Sequence, residues 1–556
     1  MSYTPPVSEI RHLLSTVVGF DQVSATARFA EAGDEMVDAI LSEAGRMAAD
    51  VLAPLNRVGD THPTRLENGK VRMPPGFIEG YGAIAQGGWV GMAADTEYGG
   101  MGLPLTLMTA VNEFIGSACL SMNLIPLMSQ GQIEALEHHA SDELKALYLP
   151  KLISGEWAGT MNLTEPQAGS DVGALRSKAE PLGDGTYAIT GQKIYISGGD
   201  HDLTENICHL VLARLPDGVE GTKGISLFMV PKLIPDADGT LGVANTLKVV
   251  SLEHKLGQAG CPTAVMQYDG AKGWLVGEPH KGMAAMFTMM NNARLGVAMQ
   301  GVSVAEAATQ HALAYALDRK QGQTPKGATA IFDHADVRRM VAGMKADTAA
   351  ARAIAFECAV SIDMATATGE AAWNARAALL TPIAKAYCTN VGIAVADTGI
   401  QVHGGMGYIE ETGAAQYLRD VRVAAIYEGT NGIQAMDLVG RKLSDGGDAA
   451  FALMDEINAM DHPALRAAVT ELRHVTDWLL EQPLNERFAG AVHYLAAFAR
   501  IIGSWTHLKG ARAGGKHAKL AQIYVSRALP EAMAELGKVS LGATDLYALS
   551  AEDLAT

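Results

Sequence analysis

Glu428 is the one carboxylate in "IYEGTNGIQ" (426–434), an otherwise uncharged stretch entered through the apolar run "VAAI". Thr430, Asn431 and Gly432 follow, and "IQAMDLVGRKL" then opens with helical spacing. Two chemistries fit an acid in that place. It can favour the positive end of a helix dipole, with Thr430 or Asn431 as the N-cap. It can also be a general base in an apolar pocket, where desolvation raises its proton affinity. The nine residues leave both open.

Other stretches carry chemistry of their own. "LTEPQAGSD" (163–171) reads as a turn with a hydroxyl and free backbone N–H groups, suited to a polar ring edge or a phosphate. A surface turn is the plain alternative. In "GQKIYISGG" (191–199), Tyr195 and Ser197 fall on one face of a strand. They could equally be an ordinary cross-strand pair. "QVHGGMGY" (401–408) has the glycines that permit close backbone approach and positive φ, or simply end a helix. "DRKQGQ" (318–323) reads as an exposed, charged helix end. "MMNNARLG" (289–296) sets Arg294 among apolar and small residues, where burial demands an acceptor.

The elements that must position these residues form four segments. Residues 1–156 read as mainly helical, with Met36, Ile40, Ala44, Met47 and Val51 recurring at helical spacing. Residues 157–280 read as a small β domain: "GTYAITGQKIYISGG" alternates in two runs around Thr190-Gly191, and "HLVLARL", "GISLFMVP" and "TAVMQYDG" are short apolar runs bounded by turn residues. No βαβ alternation appears, and no G-x-G-x-x-G follows a strand, which disfavours a dinucleotide-binding doubly wound sheet. Residues 281–443 are helical again, long and nearly uncharged, as in helices buried inside a bundle or an oligomer interface. Residues 444–556 add a further helical domain. One stripe there is Leu465, Val469, Leu472, Val475 and Leu479, and another is Val492, Leu495, Phe498, Ile502, Trp505 and Leu508. The fold class is mainly α with a central small β domain.

A chain of 556 residues, 48% hydrophobic, can bury several cores. Its 43 basic and 61 acidic residues give a net charge of −18, which argues against a general nucleic-acid or membrane-surface binder, although "HLKGARAGGKHAKLAQ" (507–522) is locally basic. The five cysteines are scattered and predict neither disulfides nor a zinc site; no metal is expected. The opening "MSYTPPVSEIRHLL" lacks a signal-peptide pattern, and no uninterrupted apolar stretch reads as long enough to span a bilayer. A soluble, cytoplasmic protein is expected.

The α–β–α order, together with "LTEPQAGSD", "GQKIYISGG", "QVHGGMGY" and "LRDVRVAAIYEGTNGIQ" (418–434) in that sequence, resembles the acyl-CoA dehydrogenase family over roughly residues 35–443. The resemblance implies a helical domain, a β-barrel-like domain and a helical bundle holding FAD. It places Met161, Leu163 and Thr164 at the isoalloxazine. Ser170 meets the FAD phosphate or the CoA arm, and Tyr195 and Ser197 meet the flavin where many members carry Trp and Thr. Arg319, Gln321, Gln401, Gly404 and Gly405 contact FAD, in part from a neighbouring subunit. Gly322 stands where the family usually has Phe. Thr430 and Asn431 also contact FAD. Asn291, in a place where relatives often have Asp, Arg294, Gly429 and Arg441 touch substrate. Glu428 removes the α-proton of an acyl thioester while the β-hydrogen leaves as hydride to flavin N5. "YTPPVSEIRHLL", the "GGDHDLTEN" insertion and the extra C-terminal bundle resemble most the branch acting on 3-(methylthio)propanoyl-CoA. An electron-transfer flavoprotein is the implied electron acceptor, and a homodimer or dimer of dimers the implied assembly. Alternatives are a general short- or medium-chain acyl-CoA dehydrogenase, an acyl-CoA oxidase, and a non-catalytic or nucleic-acid-associated relative.

Overall fold

In the computed structural model, which describes residues 3–325, 327 and 330–555, the main sheet lies in the middle of the chain. Its strands are β1 (Trp157–Asn162), β2 (Lys178–Pro181), β3 (Tyr187–Ser197), β4 (Asn206–Arg214), β5 (Ile225–Pro231), β6 (Leu247–Leu252) and β7 (Thr263–Val276). The order is β6-β7-β3-β2-β4-β1, and β5 pairs with both β7 and β4. Five strands therefore close on themselves as a small barrel, with β1 and β6 attached outside the ring. The core is Ile189, Val211, Phe228, Val230, Met266 and Tyr268. The two runs read around Thr190-Gly191 are one 11-residue strand. Gly191 lets it continue, because a Cβ there would stand 2.2 Å from Ser177 Oγ.

By internal packing the described chain forms two compact units, residues 6–33 with 297–556, and residues 34–296 with a few N-terminal residues. The anticipated 1–156 segment is thus divided. Residues 6–33 belong with the C-terminal helices because Glu9 pairs with Lys516, and the His12 and His517 rings stack at 3.7 Å. The anticipated 444–556 segment does not stand alone either. The Tyr387 and Tyr524 hydroxyls share a 2.7 Å hydrogen bond, and Lys509 pairs with Glu357 at 2.8 Å.

In the unit of residues 34–296, α1 (Asp34–Met47) continues into a π-turn, Ala48–Leu52. Its buried stripe is Val37, Ile40, Leu41, Ala44, Ala48 and Leu52, whereas Met36 and Val51 face solvent. The sequence stripe was one residue out of phase at both ends. Four further helices matter for the candidate site: α2 (Gly282–Asp318), α3 (Ala335–Thr368), α4 (Ala371–His403) and α5 (Asn431–Asp437). The segment Ala371–Tyr408 is long and apolar enough by composition to cross a bilayer, contrary to the sequence reading, and 78% of its most apolar window is buried inside the fold. Burial of this kind suits a core helix. Of the two C-terminal stripes, the first is buried throughout, while Val492 of the second is exposed.

Candidate active site

Strand β1 splits its residues between two faces. Thr160 and Asn162 are buried on one: Thr160 Oγ1 lies 2.7 Å from His209 Nδ1, and the Tyr268 hydroxyl donates to Asn162 Oδ1 at 2.9 Å. Met161 and Leu163, turned the other way, are half-buried, as is Thr164. The turn that follows is laced to β3. Ile194 N–H donates to Thr164 O at 2.9 Å, and Lys193 Nζ donates to Leu163 O at 3.0 Å. Glu165 organises the turn. Its carboxylate accepts from Lys193 Nζ at 2.8 Å, the Ser177 hydroxyl at 2.6 Å and Arg176 N–H at 2.7 Å. Burial pushes this carboxyl's pKa up, but the Lys193 charge and these hydrogen bonds outweigh burial and hold it at about 2. Sequence reasoning passed over both partners. The available signal was a lysine in an alternating strand at a position that faces inward.

Tyr195 sits at a β-bulge. Lys193 pairs with Met266 and Ile196 with Ala264, so Ile194 and Tyr195 together span Val265. Tyr195 takes φ +61 and is 61% exposed. A tyrosine rarely adopts this conformation, and it costs about 1–2 kcal/mol. It turns an aromatic ring outward beside the Thr164 edge. Tyr195→Gly is expected to relieve that strain, leaving stability unchanged or raised by up to about 1 kcal/mol once glycine's backbone entropy is counted. Thermal melting checks this; a variant that melts well below the parent would contradict it. Ser197 is half-buried opposite Thr263, and Ser170 is exposed. On α2, Asn291 is exposed and Arg294 is 7% exposed, with Nη1 3.4 Å from Asn291 Oδ1.

The second group of candidates lies in the unit containing residues 297–556. Glu428 takes φ +55 and Gly429 φ +84, and Thr430 caps α5 by accepting from Ile433 N–H at 3.3 Å. Thr430, not Glu428, is thus the helix cap. Five described non-glycine residues have positive φ: Asn68, Tyr195, Gln258, His280 and Glu428. Two of them were singled out from sequence for chemistry. Backbone strain of this kind persists only where its surroundings over-determine it.

Three of the expected site residues have surroundings of note. Glu428 is half-exposed. The Asn431 side chain is bonded within the chain. Its Oδ1 accepts from Lys385 Nζ at 3.0 Å, and its Nδ2 donates to Ala386 O at 3.2 Å and Asn390 Oδ1 at 2.8 Å. Arg441 is largely exposed but pairs with Asp437 within its own helical turn, so a substrate would have to compete for it.

Gln401, Gly404 and Gly405 are exposed where α4 ends. Gly404 has φ 57 and ψ −138, a conformation open essentially to glycine alone, and a Cβ on Gly404 or Gly405 would meet nothing within 4 Å. The space is open to a ligand. The end of α2 meets the same place: the His311 and Tyr315 rings each lie 4.5 Å from that of His403. Burial lowers the pKa of both imidazoles, His311 to about 4, so the cluster is uncharged. This aromatic contact is invisible in sequence; Arg319 and Gln321, just beyond the end of α2, are exposed. At Gly322, φ +71, a Cβ would stand 3.1 Å from His334 Cε1.

Comparison with known proteins bears on this arrangement. The chain matches three domain profiles: "Acyl-CoA dehydrogenase, N-terminal domain" over residues 35–156, the middle domain over 160–271 and the C-terminal domain over 280–443. A Ruegeria pomeroyi protein named 3-methylmercaptopropionyl-CoA dehydrogenase is 43% identical across 97% of this chain and 98% of its own length. The chain belongs to the acyl-CoA dehydrogenase family. Acyl-CoA dehydrogenases are FAD-dependent oxidoreductases acting on CH–CH groups. A butyryl-CoA dehydrogenase from Syntrophomonas wolfei is 35% identical over 74% of this chain and 70% of its own. A Bacillus anthracis acyl-CoA dehydrogenase, solved in complex with FAD, shares the fold: TM-score 0.76, 20% identity, 98% of this chain and 93% of that one. The helical, β and helical domains of the acyl-CoA dehydrogenase fold are those found here.

Proposed function

We propose that this acyl-CoA dehydrogenase oxidises a short acyl-CoA, 3-(methylthio)propanoyl-CoA, to 3-(methylthio)acryloyl-CoA, with Glu428 as the base. The observation that carries the assignment of the base is the φ of +55 at Glu428, strain placed on the one acid of an uncharged stretch. The substrate assignment is supported by the 43% identity, nearly end to end, with the Ruegeria pomeroyi protein.

The residues present suit FAD. Tyr195 is exposed on the strand whose Ile194 and Lys193 bond to Thr164 O and Leu163 O, Gly404 and Gly405 leave open room beside exposed Gln401, and Arg319 and Gln321 are exposed polar groups. FAD, when bound, supplies the hydride acceptor. Glu428 takes the α-proton, and its own backbone N–H donates to the thioester carbonyl, stabilising the charge that develops there. Substrate binding covers the half-exposed carboxylate and strengthens it as a base by expelling water. Gly429 carries the left-handed turn that follows the base. Arg294, Asn291 and Ser170 are the polar groups for the CoA arm. An electron-transfer flavoprotein takes the electrons. A second copy of the chain completes the assembly, since Tyr408, 88% exposed between exposed Met406 and Ile409, is apolar surface of the kind a partner covers.

The test is a panel of acyl-CoAs assayed with an artificial dye on FAD-loaded protein whose mass is read by light scattering. The expected result is a yellow dimer or tetramer preferring 3-(methylthio)propanoyl-CoA over butanoyl-CoA by about tenfold or more, the scale of one extra group in an apolar pocket. Butanoyl-CoA turned over equally well would replace the substrate with a general short-chain one. Peroxide formed in step with turnover would replace the flavoprotein acceptor with oxygen. A colourless protein that takes up no FAD would end the reading.

A further inference from the structure

Lys385 lies on α4 with none of its surface exposed. Its Nζ donates to Gly429 O at 2.8 Å and to Asn431 Oδ1 at 3.0 Å. Gln434, also fully buried, donates through Nε2 to Glu428 O at 3.1 Å and to Gly429 O at 3.4 Å. Upstream, the Tyr427 hydroxyl bonds to Gln300 Oε1. The fit is close: a Cβ on Gly429 would stand 2.7 Å from Gln434 Nε2. The two consecutive left-handed residues, Glu428 and Gly429, are therefore gripped by their own carbonyl oxygens, from α4 on one side and from α5 on the other.

We propose that Lys385, with Gln434 as its counterpart, is a positioning residue for Glu428; the inference rests on Glu428 being the base. An ammonium is costly to bury, and a methionine would fill the same space. What the ammonium adds is donors aimed at Gly429 and Asn431. Having no exposed surface, Lys385 meets neither substrate nor cofactor. Its action is to hold the backbone so that the Glu428 side chain leaves the turn in one direction. Without it the turn relaxes toward negative φ, which swings the carboxylate away from the α-carbon while leaving the binding surfaces in place.

The experiment compares Lys385→Met, Gln434→Leu and Glu428→Gln as FAD-loaded full-length proteins. Each is mixed anaerobically with α-deuterated and unlabelled acyl-CoA while flavin bleaching is followed. For folded Lys385→Met the expected result is bleaching slowed by about 10²-fold, the scale of an ångström-sized misplacement. Acyl-CoA affinity should stay near the parent's, with a larger α-deuterium isotope effect. A purely architectural lysine predicts instead a lower melting temperature with parent bleaching and isotope effect below it, and that result overturns the proposal. Should Lys385→Met fail to fold, Gln434→Leu decides. It removes two donors from the same turn without deleting a buried charge, and parent-rate bleaching by the folded variant overturns the proposal equally. Glu428→Gln separates the two ideas. If it bleaches at the parent rate, the base assignment has failed. If it is inert while the other two match the parent, only the positioning role has failed.

Discussion

Glu428→Gln is expected to fold, bind FAD, and lose turnover by ~10²–10⁴-fold, about 3–5 kcal/mol of barrier. Glutamine keeps the shape and both backbone contacts of the turn, since Gln434 reaches Glu428 through its carbonyl oxygen and not its side chain. Thr430, which caps α5, is untouched, so helix stability gives no reason for a large effect. Substrate should bind at least as well once a carboxylate that must be desolvated is gone. The check is anaerobic bleaching by acyl-CoA, read beside the melting temperature. If Glu428 served only the helix dipole, the rate would survive and stability would fall by about 0.3–1 kcal/mol.

Lys193→Met should have the next largest effect, on a different quantity. It strands Glu165, 4% exposed, without its ammonium partner; removing one member of such a pair costs about 3–5 kcal/mol. The 163–170 turn also loses the bond from Lys193 to Leu163 O, so FAD should dissociate more readily. Adding Glu165→Gln to Lys193→Met should recover part of the stability, because the buried charge is gone with its partner. The pair also sets an acid limit. Glu165 has its pKa held at about 2 in the fold against an ordinary 4.5, so the unfolded chain binds the extra proton between those values. The stabilisation is complete above pH 4.5 and is lost as pH falls toward 2. Denaturant titrations across that window should show a smaller loss in the double variant than in the parent, since Glu165's share is gone while other carboxylates with lowered pKa, such as Glu306, still titrate there. A single Lys193→Met variant that melts like the parent and keeps its FAD would contradict this account.

Residues with a short-range signature were legible in the sequence. Glu428 stood out because its surroundings are uncharged, the glycines of 404–405 because only glycine takes such turns, and Thr430 because it precedes a helix. Strand β3 was found by its alternation and β4, β5 and β7 as short apolar runs between turn residues, whereas β1, β2 and β6 were not singled out. Nor was the bulge at Tyr195, since a bulge depends on the register with β7 and leaves no local mark. Lys193, Lys385, Gln434 and His403 were missed for a related reason. Lys193, Lys385 and His403 matter through partners far away in the chain and Gln434 through carbonyls five and six residues back, and a single polar residue in an apolar run does not announce what it will touch. The attachment of residues 6–33 to the C-terminal bundle is likewise a matter of pairing, made by Glu9 and His12 with residues some five hundred positions later.

The positive φ at Tyr195 and Glu428 makes these two sites poor choices for durability. Asparagine or glycine would sit more comfortably at either. A mutant library screened for heat resistance alone should therefore enrich those residues at 195 and 428 early, and the enriched clones should be pale or inert. Screening the same library for survival together with colour and turnover should restore tyrosine and glutamate there. On the proposed roles, robustness and chemistry make opposite demands on the same two peptide units.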